Sequence, residues 1–242
     1  MTPFFDCSVL TTAYLPPVEY FFAVAHSGRV CIEQHEAYQK QSWRNRCRIL
    51  SAAGPEDLSI PVVKEERLSR PIRDIRIDYG EPWLQHHVRA FAAAYNHSAF
   101  YDYYADDLLP ILERKPVFLF DLNQALLEKL LALLGLDTPI SFTDSFAPLR
   151  SDISSPSQEK CSFEEISSAP LRGIFDGRER IQPKYKGKSL LAEFGREQAY
   201  YQVFVNEIPG QARIDGSSSF IPNLSILDLL SAEGPNAGAF LR

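Results

Sequence analysis

The chain lacks a positive excess. Its 25 Lys and Arg stand against 31 Asp and Glu, for a formal net charge of −6, which argues against a nucleic-acid partner, since such binders are usually basic. It has little cysteine. Cys7, Cys31, Cys47 and Cys161 form no C-x-x-C pair, so free thiols in a reducing cytoplasm are expected. The opening MTPFFDCSVL has neither the charged flank nor the long apolar centre of a signal peptide. No run approaches the roughly 18 apolar residues of a membrane span. The glycine-rich phosphate and dinucleotide loops, the G-x-S-x-G elbow and the H-E-x-x-H helix are all missing, and the enzyme classes built on them lose weight. No metal and no cofactor is expected. His86 and His87 are adjacent on a predicted helix and project about 100° apart, and Glu33 with His35 beside Cys31 lacks a compact third ligand.

What remains is an ordinary globular composition of 242 residues, 45% hydrophobic and 12% aromatic, enough for a sizeable core. We read a single α/β domain over 1–242, with a mixed sheet that starts with a βαβ unit and helices mainly in the middle third and at the C-terminus. Residues 4–13 form a first strand, Pro16-Pro17 open a helix over 17–26, and Arg29 starts a second, parallel strand with a right-handed crossover. Strands are expected at 57–63, 71–79, 138–149 and 199–205. Helices follow Pro82, Ser98 as a cap, and Asp121 as a cap with Gln124 at the capping-box position and Gly135 past the end. A last helix has Asn223 as its N-cap and Gly234-Pro235 as its stop. Residues 150–190 read as an insert, first Ser/Pro-rich and mobile, then basic. Arg172, Arg178, Arg180, Lys184, Lys186 and Lys188 give it the character of a solvated loop or of a lid that recruits an anion.

One stretch holds more chemistry than any other: Val30 to Leu50, VCIEQHEAYQKQSWRNRCRIL. It reads as strand, polar loop, strand. In the second strand Arg44, Arg46 and Arg48 share one face, about 7 Å apart, a ladder suited to carboxylate or phosphate. Arg46 and Lys40 are the anion-binding candidates, Tyr14 and Trp43 the candidates to stack on a ring, and Tyr38 a further substrate-binding candidate. Glu33 or His35 is the proton-moving candidate, and Glu33 has the alternative role of holding Arg46. Cys47 faces away from the arginines and is not a nucleophile candidate.

Four blocks in order, AYLPPVEYFF, IEQHEAYQKQSWRNRCRI, EPWLQHHVRAFAAAYNHSAFY and FIPNLSILDLLSAEG, resemble the WbqC-like family. The resemblance implicates Tyr14, Tyr20, Glu33, Lys40, Trp43, Asn45, Arg46, Trp83, Asn223, Ser225 and Asp228. The chain departs from the family pattern at Thr11-Thr12, Glu19, Glu33 and Cys47. The resemblance implies a bacterial, cytoplasmic protein of surface-polysaccharide (O-antigen) biosynthesis. Its implied activity is an acyl- or aminoacyl-transferase-like reaction on a small anionic metabolite such as a nucleotide-activated sugar. The alternative is a non-catalytic ligand-binding or scaffolding protein that uses the same basic-aromatic cluster.

Overall fold

The computed structural model describes residues 3–66, 70–148, 173–195, 199–204 and 220–242. Strand β1 (Cys7–Thr11) is short, apolar and almost wholly buried, as a strand covered on both faces must be. The turn at Pro16-Pro17 leads into α1 (Val18–Ala25), in which every residue from Val18 to Val24 is buried. A helix apolar nearly all round belongs inside, and this one crosses the sheet to deliver β2 (Val30–Glu33) parallel to β1. The βαβ start is therefore as expected. Gly28 marks the tightest point of the crossover, where a Cβ would sit 3.0 Å from the Asp6 carbonyl oxygen.

The chain then builds a separate antiparallel hairpin, β3 (Arg46–Ser51) and β4 (Gly54–Ser59), turned at Gly54 with φ +114°. Three helices follow: α2 (Trp83–Tyr95), α3 (Tyr101–Glu113) and α4 (Leu119–Leu134). Strands β5 (Ile140–Phe142) and β6 (Ile174–Asp176) return to the first sheet, completing a four-stranded parallel sheet in the order β5-β2-β1-β6. Short α5 (Leu190–Glu193), α6 (Ile226–Glu233) and the single turn α7 (Ala237–Phe240) come last. Helix α6 packs back on the first βα turn. The backbone N–H of Ile226 donates to Pro16 O, that of Val18 donates to Leu224 O, and the Ser225 hydroxyl donates to Leu15 O. Among the described residues no helix is long and apolar enough to cross a membrane.

Several local expectations change for identifiable reasons. Residues 71–79 are not one strand. Pro71 starts a single 3-10 turn, Ile72–Asp74, because the N–H groups of Ile72 and Arg73 are claimed by the carbonyls of Glu36 and Gln34. Ile75 and Ile77 are still buried, as their alternation predicts. Ser98 is not the cap of α3. Its N–H closes the preceding helix on Tyr95 O, and α3 begins only at Tyr101, with Phe100 in the flanking position. Helix α4 starts at Leu119, which puts Asp121 inside the first turn, and Gln124 reaches Thr12 Oγ1 at 3.4 Å. Its end is as expected, with Gly135 left-handed at φ +63°. Ser225, not Asn223, caps α6. Residues 199–204 are not a strand. Gln202 instead holds the chain ahead of α6 through both its amide atoms, bonded to the N–H and C=O of Ile221.

Of the 150–190 stretch, 150–172 lies outside the described residues. The rest supplies β6, so residues 174–176 are part of the sheet rather than a loop upon it.

Candidate functional site: the carboxyl edge of the parallel sheet

Parallel strands in register end on the same side. Thr11 pairs with Glu33, Ile32 with Phe142 and Val9 with Asp176. The carboxyl ends of all four strands therefore meet along one edge, where open α/β sheets commonly bind ligands.

Glu33 ends β2 with no exposure, and four donors use its carboxylate. Oε1 accepts from His35 N at 2.7 Å and Thr143 Oγ1 at 2.9 Å. Oε2 accepts from Ala147 N at 2.8 Å and Arg178 Nη1 at 3.4 Å. The partner of Glu33 is thus Arg178, just past β6, and not Arg46. Arg178 is buried too. Its Nε and Nη2 hold the Asp176 carboxylate at 2.9 and 2.6 Å, and its remaining donors take the carbonyls of Ala147 and Pro148. Burial works to lower the Arg178 guanidinium, but Asp176, Glu33 and Glu36 more than offset it and the net shift is upward. His35 donates from Nε2 to Thr143 O at 3.0 Å, the same carbonyl that Gln34 holds.

A second buried ion pair lies beside the first. Arg44 leaves the predicted arginine ladder because β3 begins only at Arg46. It turns inward and meets Glu36 with both prongs, Nε at 2.8 Å and Nη2 at 2.5 Å. Burial raises the Glu36 carboxyl and the Arg44 guanidinium draws it back. Arg46 and Arg48 do share one outward face, but both are occupied by Asp57 across the hairpin.

The other implicated residues are spread through the fold. Tyr14 is fully buried with its hydroxyl 3.0 Å from His87 Nδ1. Burial lowers His87 to about 4, so its ring is neutral beside the phenol at neutral pH. Tyr20 donates to Thr11 O, and Tyr38 packs half-buried on the core. Trp43 lies in the core with the Arg48 guanidinium over its ring, and Asn45 Nδ2 donates to Ile60 O. Trp83 packs edge-on against His87. Asn223 takes a left-handed turn at φ +61° and bonds Glu19, while Ser225 ties α6 to Leu15. Asp228 is buried beside Gln202, which donates to it at 3.2 Å. Burial pushes its carboxyl to about 6, with Tyr200, Gln202 and Tyr95 pulling it back. Cys47 is buried and its thiol is pushed well up, as befits an inert position.

Lys40 differs from all of these. It is exposed on the loop after β2 and lines a cleft of about 640 Å³. The opposite wall is the segment after β6, with Arg180, Gln182, Lys184, Tyr185 and Lys186. Both walls leave carboxyl ends of parallel strands, and the buried Arg178 fastens them from below. Among the described residues no cluster of three metal-ligating side chains is present. The Arg178 and cleft-wall positions could not be picked from the sequence by spacing. The sequence signal was the basic run from Arg172 to Lys188, which marks Arg178, Arg180, Lys184 and Lys186 but does not tell the buried guanidinium from the cleft-wall cations.

The model of the WbqC-like protein family matches residues 12–165 of this chain. That span includes Tyr14, Glu33, Lys40 and Arg46 and ends before β6 and α6. Over 239 residues the chain is 28% identical to the uncharacterised protein Rv1507c of Mycobacterium tuberculosis (strain ATCC 25618 / H37Rv), covering 97% of this chain and 96% of that one. No solved structure matches the chain.

Proposed function

The chain belongs to the WbqC-like protein family, and we propose that it binds a small anionic metabolite, of the kind of a nucleotide-activated sugar, in the cleft between residues 39–42 and 179–186. The reaction served is a transferase-like step, acyl or aminoacyl, in bacterial surface-polysaccharide biosynthesis. One observation carries the binding half of this reading. Lys40, Lys184 and Lys186 come from two distant segments and line one cleft at the carboxyl edge of a parallel sheet, on a chain whose net charge is −6. Such a local reversal of sign favours an anion and weighs against a large polyanion.

A second reading, binding without turnover, has its own observation. Glu33 is fully buried with four donors on its two oxygens, and the His35 ring is bonded to Thr143 O. Catalysis by either needs that network to open. Calorimetric titration with UDP-glucose, wild type against Lys40→Ala, tests the binding. Lys40 is exposed, so its loss leaves the fold intact and should weaken binding at least fivefold, in a salt-dependent way. Equal affinity for the two proteins would remove the cleft as the site. Saturable binding with no product formed when an acyl-donor thioester is added would favour the second reading.

A further inference from the structure

Two polar atoms on the cleft wall are buried and lack a partner among the described residues: Nε of Arg180 and Oε1 of Gln182. Buried donors and acceptors are rarely left so, because each has given up its hydrogen bond to water without gaining another. Here the two are complementary, one donor and one acceptor, two residues apart, and another atom of each side chain is already held. Gln182 Nε2 donates to Arg178 O at 2.8 Å, which leaves the amide oxygen as the free end. Arg180 Nη2 is held by Glu193 at 2.5 Å, and its guanidinium lies between the rings of Phe175 and Tyr185, 5.6 and 5.7 Å away. The Tyr185 ring is the outer of the two, 40% exposed and itself part of the cleft lining.

Resting on the reading of the cleft as an anion site, we propose that Arg180 and Gln182 are a recognition pair for a hydroxylated phosphate ester, with Tyr185 as a cover that swings aside. The phosphate oxygen accepts from Arg180, and a neighbouring hydroxyl of the same ligand donates to Gln182 Oε1. A fully ionised phosphoryl group, which has no proton to donate, satisfies only the first group. A sugar phosphate satisfies both, and gives the Tyr185 ring a face to pack on. Gly187 permits the present position of the cover, since a Cβ there would overlap the Tyr185 hydroxyl. Its φ is not in the left-handed region, so alanine at 187 strains the Tyr185 side chain and not the backbone.

The experiment compares two esters of equal charge and ring size, glucose 1-phosphate and cyclohexyl phosphate, by calorimetric titration of the wild type, Gln182→Met, Gly187→Ala and Lys40→Ala. The wild type should prefer the hydroxylated ester about fivefold, the worth of one neutral hydrogen bond. Gln182→Met should abolish that preference, and Gly187→Ala should tighten glucose 1-phosphate by displacing the cover. The comparison of esters on the wild type needs no variant to fold. Equal affinity for the two esters, with both weakened in Lys40→Ala, overturns the recognition pair and leaves the anion site standing. No binding of either ester overturns both. A Gly187→Ala protein that binds glucose 1-phosphate no better than wild type overturns the role of Tyr185 as a cover.

Discussion

Two sets of cations leave the loops at the carboxyl edge of one sheet and meet opposite fates. Arg44 and Arg178 turn inward, lose nearly all exposure and are matched by Glu36, Asp176 and Glu33. Lys40, Lys184 and Lys186 stay in water on the walls of the cleft. The chemistry of the head groups explains the division. A guanidinium presents a flat fork that can meet a carboxylate with two bonds and still satisfy backbone carbonyls, so its burial can be compensated. An ammonium is compact and strongly hydrated and is best left exposed. The arginines hold the loops in place, and the lysines are available for a ligand. Charge density alone therefore does not locate a site; charge left in water on the walls of a cleft does.

The inward-turned set is tested most severely at Arg178. Arg178→Ala leaves Glu33 and Asp176 buried without their cation, and denaturant unfolding should show a loss of about 3–5 kcal/mol. A loss under about 1 kcal/mol would mean that the pair is not structural and that the division between the two sets is wrong.

A buried carboxyl held by neutral partners sharpens the same contrast, and Asp228 is one. It stands at about 6 in the folded chain against 3.8 in the open. The folded state therefore holds a proton that the unfolded state has released, and stability is present at low pH and lost as pH rises from about 4 to 6. The shift is worth about 3 kcal/mol. His87 runs the other way. Its ring is depressed from 6.5 to about 4, so the unfolded state takes up the proton first and stability is lost as pH falls through the same range. The two slopes oppose and offset each other between pH 4 and 6. Asp228→Asn should expose the His87 slope, with stability rising with pH. An Asp228→Asn protein with no slope in that window would show that the His87 ring is not depressed.

The smallest effect is expected on the outer face of the hairpin. Arg46 pairs with Asp57 at 3.0 Å while partly exposed to water, so Arg46→Ala should cost less than about 1 kcal/mol in chemical denaturation. Since Arg46 lies on the hairpin and does not line the cleft, the variant should also bind UDP-glucose as tightly as wild type. A large loss of affinity would return Arg46 to the site that the sequence pattern suggests for it.

Much of the frame is legible in the residues themselves. Pro16-Pro17 followed by an apolar run, Ser27-Gly28, and the apolar strands on either side specify the βαβ start through local propensity and burial. Gly135 and Gly234 mark helix ends because backbone of positive φ suits glycine. The importance of the 30–50 stretch is legible too, since ionisable side chains at a strand end seldom lack a partner. The capping positions slipped by two or three residues at α3, α4 and α6, where backbone bonds to distant segments decided the start. Residues 71–79 alternate like a strand and bury the expected isoleucines, yet the turn at Ile72 is set by carbonyls of the β2 loop.

Periodicity and turn chemistry act between neighbours in the chain, and they account for the opening unit, the main helices and the glycine stops of α4 and α6. The tertiary structure alone decided which cations are paired inside and which face the cleft. Glu33 meets Arg178 across 145 positions, and Lys40 faces Lys184 across a cleft. No spacing in the sequence encodes either meeting, because both follow from β6 joining β1 in parallel register, and that pairing is selected by the energy of the whole sheet.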